Sequence, residues 1–387
     1  MPYPNLSGDE RDIVETARDF ARKRLAPSAL EWDETKHFPV DEMREAAGLG
    51  MAAIYTREDV GGSGLRRIDG VRIFEELAKG DPVTAAFLSI HNMCTWMIDT
   101  YGTEDQRKVW IPRLATMELL ASYCLTEPNA GSDAAALSTR AERDGDSYVL
   151  TGTKQFISGG GASDVYVVMA RTGVDGPRGI STFIVEKGSE GLSFGPPEQK
   201  MGWNSQPTTQ VVMDRVRVPA ENMLGGDDGA GTGFGIAMNG LNGGRLNIAA
   251  CSMGGAQAAY DLALRYMSER EAFGHKLIEE PTIRFTLADM ATGLEASRLM
   301  LWRAAAALDD NDPDKVELCA MAKRFVTETC YGVADSALQL HGGYGYLHET
   351  GVEKIVRDLR VNRILEGTNE IMRMVIGRAE AVRVSGR

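Results

Sequence analysis

Disulfide and metal frameworks are missing from this chain. Its five cysteines, Cys94, Cys124, Cys251, Cys319 and Cys330, are odd in number and form no CxxC pair. That fits free thiols in a reducing compartment and excludes a disulfide scaffold. The five histidines (His37, His91, His275, His341 and His348) show no metal spacing such as HxxxH, so no metal site is expected. Positive charge is scarce: 42 Lys and Arg stand against 55 Asp and Glu. The resulting net charge of −13 argues against a dedicated nucleic-acid binder. No apolar run approaches the roughly 18 residues of a membrane span. The polar, acidic opening MPYPNLSGDERD is not expected to be a signal peptide. Repeats and low-complexity tracts are absent as well. These absences point to a soluble, cytoplasmic protein, and 387 residues suffice for two or three domains.

Three regions differ in pattern. The first, 1–120, reads as helices. Ser7 and Glu10 make a capping box, Asp41 can cap the next helix, and Gly80-Asp81-Pro82 is a stop signal. The second, 121–226, reads as short strands: Tyr148–Leu150, Lys154–Ile157, Asp164–Ala170, Ser181–Val185 and Gln210–Val218. No helices alternate with them, so an antiparallel β-domain is expected. The third, 227–387, is helical again, with long helices near Ile236–Ser268, Ile283–Asp309 and Pro313–Leu340, the last capped by Asp312. The glycine-rich Gly225–Gly235 resembles a GxGxxG fingerprint but has no βαβ unit around it, so it reads as a linker. The fold class is therefore α+β and multidomain.

The most informative stretch is Val361–Arg378, VNRILEGTNEIMRMVIGR. A helical pattern (Val352, Ile355, Val356, Leu359, Val361) stops at Glu366-Gly367, and a second helix starts behind Thr368, which can cap it. Such a break can aim Glu366 into a cleft, where an apolar setting raises a carboxylate's pKa toward useful base chemistry. The residue pattern equally suits a solvated glutamate in a turn. Lys354–Arg387 carries eight Lys/Arg against four Asp/Glu, which suits a phosphate-binding patch or a solvated helix surface.

Other segments carry weaker signals. In Tyr123–Asp133, YCLTEPNAGSD, Asn129 and Gly131 can take left-handed conformations that converge backbone amides on a ligand. In Lys154–Gly161, KQFISGGG, alternation puts Phe156 and Ser158 on one strand face, suited to a planar heterocycle. Leu338–Tyr346, LQLHGGYGY, can approach an anion or simply end a helix. Asn242–Arg245, NGGR, sits on an amphipathic helix, where Arg245 could meet a carboxylate or phosphate.

In order and spacing, the phrases SIHNMCTWMID, SYCLTEPNAGSD, GWNSQPT, LNGGR, FTLADMAT, LQLHGGYGYL and ILEGTNEIMR resemble the acyl-CoA dehydrogenase family over nearly the whole chain. The resemblance implies a helical domain, a β-domain and a C-terminal four-helix bundle. It also implies FAD, a homotetramer and electron-transfer flavoprotein as acceptor. By it, Glu366 removes the α-proton of a short branched acyl-CoA thioester, turning isobutyryl-CoA into methacrylyl-CoA in valine breakdown. The thioester oxygen would be stabilised by the Glu366 amide and a ribityl hydroxyl of FAD. Some relatives carry the base at the position of Gly244, and glycine cannot serve there. The flavin would be lined by Tyr123, Leu125, Thr126, Gly131, Ser132, Phe156, Ile157 and Ser158. Arg270, Phe273, Gln339, Leu340, Gly342 and Gly343 would reach FAD in a neighbouring subunit, with Thr368, Asn369 and Glu370 completing that site. Acyl-CoA would be met by Ser132, Asn242, Gly243, Gly244, Arg245, Gly367 and Arg378. Pro281 departs from the family's usual glutamine and offers no donor; Asn129 replaces a usual glycine. Rival readings are a dehydrogenase of another short or 2-methyl-branched acyl-CoA, an acyl-CoA oxidase, a flavin-bearing DNA-associated relative opposed by the −13 charge, and a non-catalytic scaffold.

Overall fold

The structure, a computed structural model, describes residues 6–385. The first five residues of the opening acidic stretch, and the last two of the basic terminal segment, lie outside them.

The N-terminal part is helical: α1 (Gly8–Phe20), α2 (Ala29–Thr35), α3 (Val40–Gly48), α4 (Arg67–Gly80), α5 (Pro82–Tyr101) and α6 (Glu104–Ala115). The expected capping box opens α1, with the Ser7 hydroxyl accepting from the Glu10 N–H and the Glu10 carboxylate from the Ser7 N–H. A π-helical turn, Ala21–Leu25, prolongs that helix. Asp41 does not cap α3: Pro39 holds that place and Asp41 falls in the first turn, where its charge still favours the helix dipole. Gly80-Asp81-Pro82 ends α4 and also starts α5, because the Asp81 carboxylate accepts from the Thr84 N–H at 2.9 Å.

The middle sheet has seven strands: β1 (Ala121–Cys124), β2 (Arg140–Asp144), β3 (Ser147–Ser158), β4 (Val165–Arg171), β5 (Ile180–Glu186), β6 (Leu192–Phe194) and β7 (Thr208–Pro219). Their order is β1-β4-β2-β3-β7-β6, with β5 on β4. Most pairings are antiparallel, but β1 runs parallel to β4, and β2 meets β4 in parallel at Arg140–Arg171. The sheet is thus mixed rather than purely antiparallel. The β2–β3 hairpin lies between β1 and β4 and makes the connection long enough to return in the same direction. Two expected strands merge into β3, whose register against β7 shifts at Leu150/Gly152 and again at Lys154/Ile157. Both faces of β4 and β5 are buried, since helices cover one side and the curled sheet encloses the other.

The C-terminal part holds α7 (Gly233–Glu269), the hairpin β8 (Glu271–Ala272) and β9 (His275–Lys276), α8 (Pro281–Asp309), α9 (Lys315–Leu340), α10 (Val352–Arg360) and α11 (Asn369–Ser385). Helix α9 packs on α7, α8 and α11 to make the bundle. It begins two residues later than expected, at Lys315, with Asp314 rather than Asp312 at its cap position. Pro281 takes the first turn of α8, where its missing N–H costs nothing. The Gly225–Gly235 connection leads straight from the sheet into α7. One core unites α4 and α5 with α7–α10; a second joins α5, α6, β1 and β4 to the start of α7. The N-terminus of α7 is therefore where all three parts meet.

Candidate active site

Beyond α10 the chain makes one 3-10 turn, Val361–Arg363, then reverses. Glu366 has φ +55 and Gly367 φ +90, two left-handed residues in succession. Left-handed backbone costs a non-glycine residue roughly 1–2 kcal/mol and marks an over-determined position. The φ of Gly367 favours glycine, and a Cβ there would also have to displace the Met372 methyl, 2.8 Å away. The expected Thr368 cap is present, its hydroxyl accepting from the Ile371 N–H at 3.3 Å.

This turn lays the Glu366 carboxylate on α7. A Cβ at Gly244 would collide with Oε2 and sit 2.9 Å from Cδ, so any larger residue there would have to push the acid aside. The residue as a whole is half-buried, yet Oε2 is sealed from solvent and has no hydrogen-bond partner. Burial lifts the Glu366 pKa to about 7, against the pull of Lys323 and Arg245. Arg245 donates to the Glu366 carbonyl at 3.2 Å and to Asn242 Oδ1 at 2.8 Å. Lys323, wholly buried on α9, donates to the Gly367 carbonyl at 2.7 Å and to Asn369 Oδ1 at 3.0 Å. Gly243 faces another way: a Cβ there would lie 2.9 Å from the Arg67 guanidinium carbon, which stacks 3.8 Å from the Tyr55 ring centre.

Strand β1 links this acid to the end of β3. Tyr123 lies within the field of Glu366, and burial pushes its phenol well up. The preceding Ser122 hydroxyl donates to the Ser158 carbonyl at 2.6 Å. Phe156 is 63% exposed at φ +58, while Ile157 is buried. Simple alternation does not place Phe156: the second register shift of β3 falls there and the left-handed residue turns the ring outward. The Ser158 hydroxyl accepts from Gln206 Nε2 at 2.8 Å, and Gln206 Oε1 and Trp203 Nε1 are buried without partners. Gln155 N–H donates to the Thr126 carbonyl at 2.8 Å, tying the 125–132 segment to the strand. Leu125 is buried, while Gly131 and Ser132 are exposed. Neither Asn129 nor Gly131 is left-handed. Reciprocal bonds between Glu127 and Ala130 close that turn instead, and the Glu127 carboxylate accepts from Lys154, Ser138 and Thr139. An outward ring, a serine hydroxyl and unsatisfied polar atoms in one place fit a planar, hydrogen-bonding ring system such as a flavin.

A second group is kept apart. Arg270, Leu340, Gly342 and Gly343 line a cavity of about 590 Å³ with Tyr266, His341 and Tyr344. Gln339 is exposed, and Phe273, on the β8–β9 hairpin, is 92% exposed. Another cavity, of about 430 Å³, lies between Tyr101, Leu224 and Asn239. Neither cavity is lined by Glu366 or Phe156. On α11, Asn369 is buried against Lys323 and Thr327, Glu370 is exposed, and Arg378 is exposed with no polar partner among the described residues. The basic terminal run is largely engaged: Lys354 with Asp81 and Asp358, Arg357 with Asp33 and Glu353, Arg373 with Glu328, Arg383 with Glu317. Among the described residues no three His, Cys, Asp or Glu side chains could hold a metal, and no helix is long and apolar enough to cross a membrane.

Sequence reasoning missed Lys323, Arg67 and Gln206. Lys323 left a signal, as one charge on the apolar face formed by Cys319, Val326 and Cys330, and Gln206 lies within the GWNSQPT phrase.

Family models for acyl-CoA dehydrogenase match the N-terminal domain at residues 7–118, the middle domain at 122–216 and the C-terminal domain at 231–381. The chain belongs to the acyl-CoA dehydrogenase family. It is 53% identical over 378 residues to a protein named isobutyryl-CoA dehydrogenase, mitochondrial, of Bos taurus, covering 98% of this chain and 90% of that one. Among solved structures, butyryl-CoA dehydrogenase from Megasphaera elsdenii superposes with a TM-score of 0.94 at 38% identity, covering 98% of this chain and 100% of that one. A glutaryl-CoA dehydrogenase from Mycobacterium smegmatis in complex with FADH2 gives 0.91 at 28% identity, covering 99% of this chain and 96% of that one.

Proposed function

We propose that this acyl-CoA dehydrogenase desaturates a short branched acyl-CoA, isobutyryl-CoA to methacrylyl-CoA, with Glu366 as the base that takes the α-proton. The observation that carries the reading is the acid itself: a left-handed residue, an enclosed Oε2 without a partner, and a pKa of about 7. That value matches a general base working near neutral pH. The Glu366 N–H has no acceptor among the described residues, so it is free to donate to the thioester oxygen as charge builds there. Bound FAD supplies the acceptor for the β-hydride.

Tyr123, Leu125, Thr126, Gly131, Ser132 and Phe156–Ser158 hold that cofactor. Because Ser158 already accepts from Gln206, its own proton is left to donate toward the ring. Asn242–Arg245, Gly367 and Arg378 hold the acyl-CoA. Arg270, Phe273, Gln339–Gly343 and Thr368–Glu370 serve the cofactor of a neighbouring copy in a homotetramer, which accounts for the bare Phe273. The parts are delimited as 1–120, 121–226 and 227–387, and electron-transfer flavoprotein takes the electrons. Five buried, unpaired thiols suit a reducing compartment, the cytoplasm included. The 53% identity to the Bos taurus protein supports the branched acyl chain.

The test is anaerobic bleaching of the flavin by isobutyryl-, 2-methylbutyryl-, butyryl- and isovaleryl-CoA. Isobutyryl-CoA is expected to bleach it fastest. Faster reduction by another member of the panel overturns the substrate, and no bleaching by any of them overturns the reaction.

A further inference from the structure

Lys323 has no part in the reaction as described, yet it is one of the largest fully buried side chains in the protein. Burying an ammonium is costly unless it is paired and fully hydrogen-bonded. Its two hydrogen-bond partners, the Gly367 carbonyl and Asn369 Oδ1, are both neutral. Its third N–H has no acceptor among the described residues. A glutamine could supply neutral donors here with less desolvation, so the hydrogen bonds alone do not explain a lysine. What a lysine adds is charge, and the carboxylate that interacts most strongly with that charge is Glu366, whose Oε2 is buried without a partner.

We propose that Lys323 is a positioning residue for Glu366: it clamps the left-handed turn through the Gly367 carbonyl and provides a buried positive charge that keeps the acid ionisable. This rests on the reading of Glu366 as the base. Other groups in the same field are Arg245 and Cys251 on α7, Tyr123 on β1, Glu328 on α9 and Glu370 on α11. Arg245 already donates to the Glu366 carbonyl and Asn242, while Lys323 grips the next carbonyl of the turn, that of Gly367. The ordering of effects follows: Lys323 and Arg245 pull the Glu366 pKa down, burial pushes it up, and the balance falls at about 7.

The experiment compares Lys323→Met, which removes charge and hydrogen bonds, with Lys323→Gln, which keeps donors and removes only charge. Two readouts are taken on FAD-loaded protein: the pH profile of flavin reduction by isobutyryl-CoA, and infrared titration of the Glu366 carboxyl with Glu366→Gln as the blank. Both variants should move the acidic limb and the carboxyl titration upward by roughly one unit or more. The loss of rate should then be about tenfold deeper on the acid side than on the alkaline side. Profiles that superpose on the parent, with a loss uniform in pH, make Lys323 a plain strut and overturn the proposal; so does failure of both variants to fold. Retained activity in Glu366→Gln would instead sink the base assignment, while the infrared titration would still report what Lys323 does to the acid.

Discussion

Two buried clusters in this protein use the same chemical groups to opposite ends. Around Lys354, the ammonium donates to Asp81 at 2.7 Å and Asp358 at 2.8 Å. The remaining oxygens are also taken, Asp81 by Thr84 and Asp358 by the Trp203 N–H at 2.6 Å. One knot thus fastens α5, α10 and the loop before β7. Around Glu366, one carboxylate faces two cations, but both cations spend their hydrogen bonds on carbonyl and amide oxygens, and Oε2 is left bare. A closed network has nothing to offer a ligand, whereas an open one keeps an acceptor and a charge in reserve. Completion of the hydrogen bonds, rather than the kind of charge, separates the strut from the site.

The sharpest way to break the contrast is Glu366→Gln. Flavin reduction by isobutyryl-CoA should fall by about 10²–10⁴-fold, the usual worth of a placed base, while the protein stays folded and yellow. Lys354→Met should do the reverse. It leaves Asp81 and Asp358 buried without their counter-charge, costing about 3–5 kcal/mol in denaturant unfolding, with the pH profile of the surviving protein unmoved. A shifted profile there would mean the two clusters are coupled. Next comes Gly244→Ala. Its methyl needs the space of Glu366 Oε2, so the acid must swing away. Displacement of that order costs about 10²-fold in rate, and thermal unfolding should barely change because the carboxylate is the mobile partner.

How much of this was legible beforehand differs between the clusters. The break at Glu366-Gly367 and the Thr368 cap could be read, because helix periodicity and capping are local signals. The three-part layout was legible for the same reason. The parallel β1–β4 pairing was not, since direction depends on a connection of dozens of residues rather than on either strand. Lys323 and Glu366 are far apart in sequence, and a lone lysine on an apolar helix face ordinarily reads as snorkelling. Residue type favours left-handed backbone at Asn129 and Gly131. It occurs at Phe156 and Glu366, held there by tertiary packing against local preference. Local chemistry marks where a chain can bend; only the packed structure shows where it is made to.

The smallest effect is a matter of sign. The folded pKa of Glu366, about 7, lies above its ordinary value of 4.5, so the fold prefers the protonated acid. That preference contributes in full below about pH 4.5 and is lost as pH rises through about 7. Glu366→Gln, always neutral, should therefore match the parent in stability near pH 4 and exceed it by about 2 kcal/mol near pH 8, discounting for the half-buried setting. Chemical denaturation at the two pH values measures it. Asp358→Asn provides the counter-case. Burial raises the Asp358 pKa in spite of Lys354, so charge alone would favour the neutral form there too. But both Asp358 oxygens accept hydrogen bonds, and an asparagine would turn an amide N–H against Lys354 or the Trp203 N–H, so the substitution should destabilise the protein at neutral pH. If both substitutions destabilised alike at pH 8, Glu366 would belong to a closed network after all, and the distinction between strut and site would fail at its own test position.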